Sequence, residues 1–378
     1  MRNVVIAGYA RSPFHLATKG ALARVRPDDL AAQVIRGLIE RTGVKPQDIE
    51  DIVLGCAFPE GEQGLNVARL IGLLADLPLS VGGMTVNRFC GSSMSSVHIA
   101  AGQIQLGAGE AFICAGVESM SRVPMQGFNP LPNPALAARS QAYIGMGDTA
   151  ENLASRYQIT RAEQEAFAVS SQQKAAAAQA AGKLDAEIVA IPTKAGTVDK
   201  DGTLRPETTA EALAGLKPAF DQNGTVTAGT ASPLTDGASA VLVTSEDYAR
   251  ANNLPILARI RSVAISGCAP EIMGIGPVEA TRKALARGGV DAGQIDVIEL
   301  NEAFASQALA CIKDLGLDQA KVNIDGGAIA IGHPLGATGA RIVGKAAALL
   351  KRDGGKYALA TQCIGGGQGI ATLLEAAE

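Results

Sequence analysis

The sequence is short of several features that mark common protein classes. It has no tryptophan, only three histidines, and six cysteines that form no CxxC pair and no cluster resembling a metal site. Its 33 basic and 37 acidic residues are interleaved, for a net charge of -4, so nothing indicates nucleic-acid binding. No apolar stretch reaches the roughly 18 residues of a membrane span, and no signal peptide precedes the strand-like VVIAG. We therefore expect a cytoplasmic protein with reduced thiols, no bound metal and no membrane span.

What the chain does contain is an alternation of two kinds of segment. Short β-branched runs such as DIVLG, AFICAG and DVIEL alternate with Ala-rich stretches of helical length. This rhythm is typical of an α/β fold and predicts a mostly parallel sheet. Because 378 residues are too many for one ordinary core, we expect two or three packed units.

The two ends of the chain resemble each other. Each runs strand, helix, strand, Gly-rich turn, helix, strand, with NRFCGSS at the turn of the first copy and GHPLGATGAR at that of the second. We infer a duplicated architecture whose copies face each other. The middle, with its Pro-rich loop and polar irregular section, interrupts the rhythm and is interpreted as an insertion that covers a site.

Of the three histidines, His333 is the candidate for chemistry. It lies in GGAIAIGHPLGATGAR, a turn whose glycines permit close approach of a ligand, just before a predicted helix. The N-terminus of a helix lowers the pKa of an imidazolium and favours the neutral base. His15 and His98 are interpreted as structural.

Cys90 occupies the matching turn of the first copy. The Gly-Ser-Ser after it suits the first turn of a helix, where free backbone N–H groups would stabilise a thiolate and could bind a thioester oxyanion. The alternative is a small, inert, buried cysteine. The duplication favours the nucleophile, because facing copies bring the turns of Cys90 and His333 together.

Two further strand ends carry polar or reactive groups. Cys363, in TQCIGGGQG, is a second thiol that could move a proton to or from carbon; the competing interpretation, a phosphate-binding loop, lacks the residues of a P-loop. Asn301, in NEAFA, either positions a water or carbonyl or caps the next helix.

Together these blocks resemble the thiolase family. NRFCGSS, TVTAGTASPLTDGA, NEAFA, GGAIAIGHPLGATGAR and CIGGGQG match its signature blocks in order and spacing, over essentially the whole chain. The resemblance implies a duplicated five-layered α-β-α-β-α core with an inserted loop domain. We place the first half at 1–118, completed by about 235–256, the CoA-binding loop domain at 119–234, and the second half at 257–378.

The resemblance also implies roles for the site residues. Cys90 would hold the acyl group, His333 would activate it, and Cys363 would be the acid and base for the acetyl α-carbon. Asn301 would position a water that forms one oxyanion hole with His333, and the backbone N–H groups of Cys90 and Gly365 would form the other. The chemistry is then a reversible Claisen reaction through an acyl-Cys90 intermediate.

The family implies coenzyme A as co-substrate and no prosthetic group. Ser232 matches a serine near the pantetheine, and Arg205 matches an arginine that packs on the adenine. The remaining candidates for the acyl and pantetheine tunnel are apolar and equally compatible with ordinary core packing: Leu216, Phe220, Ala228, Met146 and Phe304.

Within the family, the sequence favours a degradative 3-ketoacyl-CoA thiolase of β-oxidation. Short-chain acetoacetyl-CoA thiolases usually have a histidine where YIGMGDTAEN has Gly145. The alternatives are a biosynthetic acetyl-CoA acetyltransferase and, from another class, a catalytically silent CoA- or lipid-binding member. The resemblance implies a homodimer or homotetramer and leaves open a hydratase/dehydrogenase partner subunit.

Overall fold

A computed structural model describes residues 2–377. Residue 1 of the predicted first half and residue 378 of the predicted second half lie outside the described residues. The strands are β1 (Val4–Arg11), β2 (His15–Leu16), β3 (Ile49–Gly55), β4 (Gly82–Val86), β5 (Ala111–Ser119), β6 (Ile191–Thr193), β7 (Gly196–Val198), β8 (Thr235–Ser245), β9 (Ala258–Gly267), β10 (Val297–Leu300), β11 (Tyr357–Ile364) and β12 (Gln368–Glu375). The helices are α1 (Pro27–Thr42), α2 (Val67–Leu74), α3 (Ser92–Gln105), α4 (Pro134–Ala137), α5 (Met146–Tyr157), α6 (Arg161–Ala180), α7 (Ala210–Ala214), α8 (Glu246–Ala251), α9 (Gly276–Gly288), α10 (Ala305–Leu315), α11 (Ala328–Ile331) and α12 (Leu335–Asp353). None of these helices is long and apolar enough to cross a membrane.

The large sheet is mixed, so the prediction of a mostly parallel sheet is wrong. Its order is β10-β11-β12-β9-β1-β8-β5-β3-β4, and only the β10/β11, β3/β4 and β3/β5 ladders are parallel. In each half one strand, β8 or β12, runs against both neighbours. The cause is visible in the second half, where β11 and β12 are joined by only three glycines, and a connection that short permits only antiparallel pairing.

The duplication is confirmed element by element. The series β1, α1, β3, α2, α3, β5, β8 corresponds to β9, α9, β10, α10, α12, β11, β12. The counterpart of β4 is reduced to a single parallel bridge between Ile298 and Val322. Both copies thus place a turn and a long central helix, α3 or α12, at the same point of the fold.

The helices and the two halves of the sheet form five layers. Buried side chains of α1 and α2, such as Ile35 and Ile71, cover the outer face of the first half. Those of α9 and α10, such as Val278 and Cys311, cover the outer face of the second half. The third core lies between the halves, where α3 and α12 pack together with the inner faces of both. The predicted five-layered α/β core is therefore confirmed.

The segment between β5 and β8 holds α4 to α7 and the two-stranded sheet of β6 and β7. It is tied to the first half by Arg11 of β1, whose side chain is completely buried. The guanidinium makes two 2.7 Å bonds to the carboxylate of Asp201 and one of 2.8 Å to Glu187. The division of the chain into folding units at the proposed boundaries stays a prediction.

The central helices approach each other at their backbones. A Cβ on Gly339 of α12 would lie 2.2 Å from the backbone N of Met94 on α3, and one on Gly336 would lie 2.6 Å from the carbonyl oxygen of Val117. Contacts that short do not occur, so only glycine permits this spacing. The glycines of GHPLGATGAR therefore serve the packing of the helices.

We predict that Gly339→Ala destabilises the fold by 1–3 kcal/mol or more, because the new methyl group forces the central layer apart. Gly102→Ala is the matched control: Gly102 lies within α3, and a Cβ there would have nothing within 4 Å. This control should raise the free energy of unfolding by about 1 kcal/mol through helix propensity. Thermal denaturation of both variants checks the pair, and a Gly339→Ala melting temperature at or above the wild type would contradict the close-packing argument.

Candidate active site

Four turns at one edge of the sheet bring the predicted catalytic residues together. Cys90 lies in the 3-10 turn before α3, His333 in the turn before α12, Asn301 directly after β10, and Cys363 near the end of β11. The amide of Asn301 lies 3.4 Å from His333 Nε2. The backbone amide of Gly365 lies near enough to the Cys90 thiol to lower its pKa. Cys90 also acts on the nearby Cys363, and Leu335, two residues after His333, packs in the same cluster as Cys90. The turns of the two copies therefore meet, as the duplication predicts.

The turn that carries Cys90 is held in an unusual backbone conformation. Phe89 has a φ of 44°, a left-handed value that costs a non-glycine residue about 1–3 kcal/mol. Three local hydrogen bonds hold it: Phe89 N donates to Asn87 Oδ1, Arg88 N donates to Ser92 Oγ, and Ser92 Oγ donates to the Phe89 carbonyl. The result presents the Cys90 side chain at the surface of the turn, where it is partly exposed.

Residues of the second half hold the turn that carries Cys90. Gln362 of β11 donates from its side-chain amide to the Cys90 carbonyl. Gly365 lies in the turn that leaves the same strand and directs its amide at the Cys90 sulfur. The strand that carries Cys363 therefore also positions Cys90.

The tautomer of His333 follows from its hydrogen bonds. The Thr338 hydroxyl donates to the Pro334 carbonyl at 2.9 Å, so its oxygen is left to accept from His333 Nδ1, 2.6 Å away. The ring proton is then on Nδ1, and Nε2 carries a lone pair on the side of Asn301. This is the form that can take a proton from a thiol.

The side chain of His333 is buried, and the pKa of its imidazolium is lowered to about 3, first by burial and then by the charge of Arg341. The expectation of a neutral base agrees with this shift. Its cause is desolvation rather than the helix N-terminus that the sequence suggested.

The expectation of a stabilised thiolate at Cys90 is wrong for the resting protein. Burial raises the pKa of the thiol to about 11, and the nearby charge of Glu118 also raises it, while the amides of Gly365 and Cys90 itself lower it. Desolvation therefore outweighs the helix N-terminus, and Cys90 rests as a neutral thiol.

Cys363 is completely buried. Burial raises its pKa well above the usual value, and the nearby Cys90 raises it further. It packs among apolar side chains that include Met146, Phe304 and Ala231. A thiol in these surroundings is protonated and has water largely excluded from it, as a proton donor to a carbanion requires.

Asn301 is buried and does not cap the following helix, whose N-cap is Phe304. That removes the capping alternative. Its Nδ2 faces His333, and its Oδ1 is buried without a hydrogen-bond partner among the described residues. A buried amide oxygen in this state is suited to an ordered water.

The predicted tunnel residues fall into two groups. Phe220 and Phe304 pack edge to face, with ring centroids 5.8 Å apart, and Met146 packs with Phe304 in the cluster around Cys363. Arg205 and Ala228 line a small cavity. The two groups meet at Ala231, which lines this cavity and packs in the cluster of Cys363.

Ser232 and Leu216 connect these groups. Ser232 is bonded through its backbone N to the Ala303 carbonyl in the Asn301 turn. A Cβ on Gly229 would lie 2.8 Å from Leu216, which places this side chain beside the small cavity. Roles in substrate binding stay predictions for all these residues.

Sequence reasoning missed three residues that organise the site: Thr338, Gln362 and Glu118. Each carried a signal, because Thr338 is a hydroxyl five positions after His333, Gln362 directly precedes Cys363, and Glu118 is an acid in the apolar run AFICAGVES. The contacts of Gln362 and Glu118 are long-range, and that of Thr338 depends on how the turn after His333 folds, so only the folded chain reveals these partners.

Comparison with known proteins gives full-length matches. Residues 4–247 match the family description "Thiolase, N-terminal domain" and residues 254–376 match "Thiolase, C-terminal domain". The 3-ketoacyl-CoA thiolase of Bacillus subtilis is 46% identical over 389 residues, covering 99% of this chain and all of that protein. That of Shewanella frigidimarina is 49% identical over 386 residues, with the same coverage. The crystal structure of human mitochondrial 3-ketoacyl-CoA thiolase in complex with CoA superposes with a TM-score of 0.92 at 38% identity, covering 100% of this chain and 98% of that one.

We predict that Thr338→Val lowers kcat/KM roughly tenfold to a hundredfold, because a lost buried hydrogen bond costs 1–3 kcal/mol and releases the Nδ1 tautomer of His333. Thr338→Ser keeps the hydroxyl and should retain most activity. Steady-state kinetics of the two variants at matched folding checks this. Equal losses in valine and serine variants would contradict the role of the hydroxyl and point to packing of the methyl group.

Proposed function

This chain belongs to the thiolase family, and from that premise we propose that it catalyses the CoA-dependent cleavage of 3-ketoacyl-CoA to acetyl-CoA and a shortened acyl-CoA. The observation that carries the proposal is the grouping of two protonated thiols, Cys90 and Cys363, with a neutral histidine whose Nε2 is free to accept a proton. Curated 3-ketoacyl-CoA thiolases at 46–49% identity support the same activity.

In the first half-reaction, the Cys90 thiol gives its proton to His333 Nε2 and its sulfur attacks the 3-keto carbon. The amides of Cys90 and Gly365, which point at this sulfur, are placed to donate to the oxyanion that forms next to it. The bond between C2 and C3 then breaks. Cys363 donates its proton to the departing acetyl-CoA carbanion, which leaves the acyl group on Cys90.

In the second half-reaction, the Cys363 thiolate takes the proton of an incoming CoA thiol, and the CoA sulfur attacks the acyl-Cys90 carbonyl. Protonated His333 returns its proton to Cys90 as the acyl group leaves on CoA. Asn301, with its unpartnered Oδ1, is proposed to hold a water that donates with His333 Nε2–H to the thioester oxygen of the acetyl unit. Each side chain then ends in the state in which it began.

We assign coenzyme A to the surface between the insertion and the second half. Arg205 would stack on the adenine, and Ser232 and Leu216 would lie along the pantetheine. Phe220, Phe304, Ala228 and Met146 would line the tunnel. The human structure with CoA supports CoA as the co-substrate.

We also propose that the protein is a cytoplasmic homo-oligomer. β4 lies at the edge of the sheet, and nearby α2 and its flanking loops expose large apolar side chains. These side chains are Leu65, Leu70, Leu73, Leu74 and Leu79. Exposed edge strands and apolar patches of this kind are usually covered, here by a second copy of the chain. A hydratase/dehydrogenase subunit remains a further candidate partner.

We predict thiolysis that persists or improves as the 3-ketoacyl-CoA chain grows from four to about sixteen carbons, because Gly145 adds no side chain beside Met146 and the acyl tunnel. Initial rates with purified protein and free CoA measure this, and Gly145→His tests the pocket by filling it. Activity confined to the four-carbon substrate would transfer the assignment to an acetyl-CoA acetyltransferase.

We predict that Cys90→Ala abolishes all turnover, whereas Cys363→Ala abolishes only carbon–carbon cleavage, with a loss of about 10²–10⁴-fold. Cys363→Ala should still exchange labelled CoA into acyl-CoA, because in the absence of carbon–carbon cleavage His333 is neutral and can by itself pass the proton between Cys90 and the CoA thiol. Cys311→Ala is the control, since Cys311 is a buried thiol on α10 with no proposed role. Equal loss of exchange and cleavage in Cys363→Ala would contradict the division of roles.

A further inference from the structure

Glu118 is a buried carboxylate that no step of the reaction uses. It lies at the end of β5, with 1% of its surface exposed. Oε2 accepts hydrogen bonds of 2.8 Å from the amides of Ala57 and Gly336, and Oε1 accepts from the amide of Phe58 and the side chain of Gln63. With the Cys56 thiol at 3.6 Å, five donors converge on this side chain and favour its ionised form, against the burial that raises its pKa.

These donors belong to the two halves that build the active site. Ala57 and Phe58 follow β3 and pack in the same small cluster as Cys90. Gly336 is in the first turn of α12, three residues after His333. A single carboxylate therefore joins the surroundings of the nucleophile to the helix that begins beside the base, and it occupies an amide that would otherwise add positive potential at that helix end.

We propose that Glu118 is a positioning residue for the proposed thiolase reaction: through its hydrogen bonds to both halves it fixes the His333 helix against the Cys90 turn, and it holds a negative charge near the nucleophile.

The sign of this effect follows from the charges around Cys90. After burial, Glu118 is the charge that raises the pKa of Cys90, because a second negative charge disfavours a thiolate. Cys56, which bonds Glu118 at 3.6 Å, is affected in the same way. On the other side stand Cys363, itself protonated, and His333, whose nearest charge is Arg341. Removing the charge of Glu118 should therefore lower the pKa of Cys90.

The duplication provides a comparison within the same molecule. Glu302, next to Asn301, is also buried and accepts from Ser171, Asn323 and the Ile329 amide at the start of α11. The charge of Glu302 is not among the main causes that shift the pKa of Cys90. An experiment can thus distinguish the general effect of losing a buried carboxylate beside the site, as at Glu302, from the specific effect of losing the charge of Glu118.

The test measures the alkylation rate of Cys90 by iodoacetamide against pH, with the Cys90 peptide quantified by mass spectrometry. Glu118→Gln removes the charge but also replaces an acceptor by a donor. Gln63→Lys is therefore the second variant, because it places a cation on the same carboxylate and leaves its backbone bonds intact. Gln63→Met removes a hydrogen bond without altering charge, and Glu302→Gln removes the other carboxylate.

We expect the midpoint for alkylation of Cys90 to lie at a lower pH in Glu118→Gln and Gln63→Lys than in the wild type, because the negative charge that opposes a thiolate is removed or offset. Gln63→Met and Glu302→Gln should stay near the wild type. An unchanged midpoint in whichever charge variant folds, or an equal shift in the two controls, overturns the proposal. Because no CoA or substrate is present, the result holds whether or not the protein proves to be a thiolase in turnover assays.

Discussion

The structure depends on the backbone contact between α3 and α12 in the central layer. Gly339 has no side chain, so α12 can approach the backbone of Met94 on α3, and Gly336 likewise lets α12 approach the backbone at the ends of β3 and β5. Cys90 precedes the first helix and His333 the second, so the same contact sets how near the nucleophile and the base can come. Since the layer is close-packed and lies between two halves of a sheet, a shift of either helix would move a catalytic group by the same amount. Catalytic geometry and core packing are therefore one constraint in this fold.

The electrostatics of the site favour neutral groups over charged ones. Helix N-termini and backbone amides favour a thiolate at Cys90, but burial has the larger effect and holds the pKa of the thiol near 11. The same desolvation lowers the pKa of His333 to about 3. A thiol of high pKa is a stronger nucleophile once it loses its proton, so the cost of ionisation is partly recovered in the attack. The arrangement suits a site in which proton transfer follows substrate binding, since the incoming thioester excludes water and supplies the developing charge.

The sequence predicted the elements of the site better than its connections. The duplication and the placement of Cys90, His333 and Cys363 at strand-end turns could both be inferred, because periodicity and strand-end turns are local signals. The direction of β8 and β12 could not, since the periodicity of a strand says nothing about its orientation. The pKa of Cys90 was misjudged for a related reason: a helix N-terminus is visible in a sequence, but the extent of desolvation is not. Thr338 was missed because the sequence does not show that its hydroxyl turns back to His333 and Pro334, and Glu118 was missed because its partners lie in other elements.

The two halves have one architecture but contribute differently at the equivalent connection. In the second half, β11 and β12 are joined by a three-glycine turn, which lets the Gly365 amide reach the Cys90 sulfur of the first half. In the first half, the connection from β5 to β8 is opened into the long insertion that Arg11 holds down through Asp201 and Glu187. A short turn at both places would leave the thiols open to water, and an insertion at both would block the approach of the second half to Cys90. The asymmetry of a duplicated fold is thus what allows one copy to complete the catalytic group while the other covers it and offers a surface for the substrate.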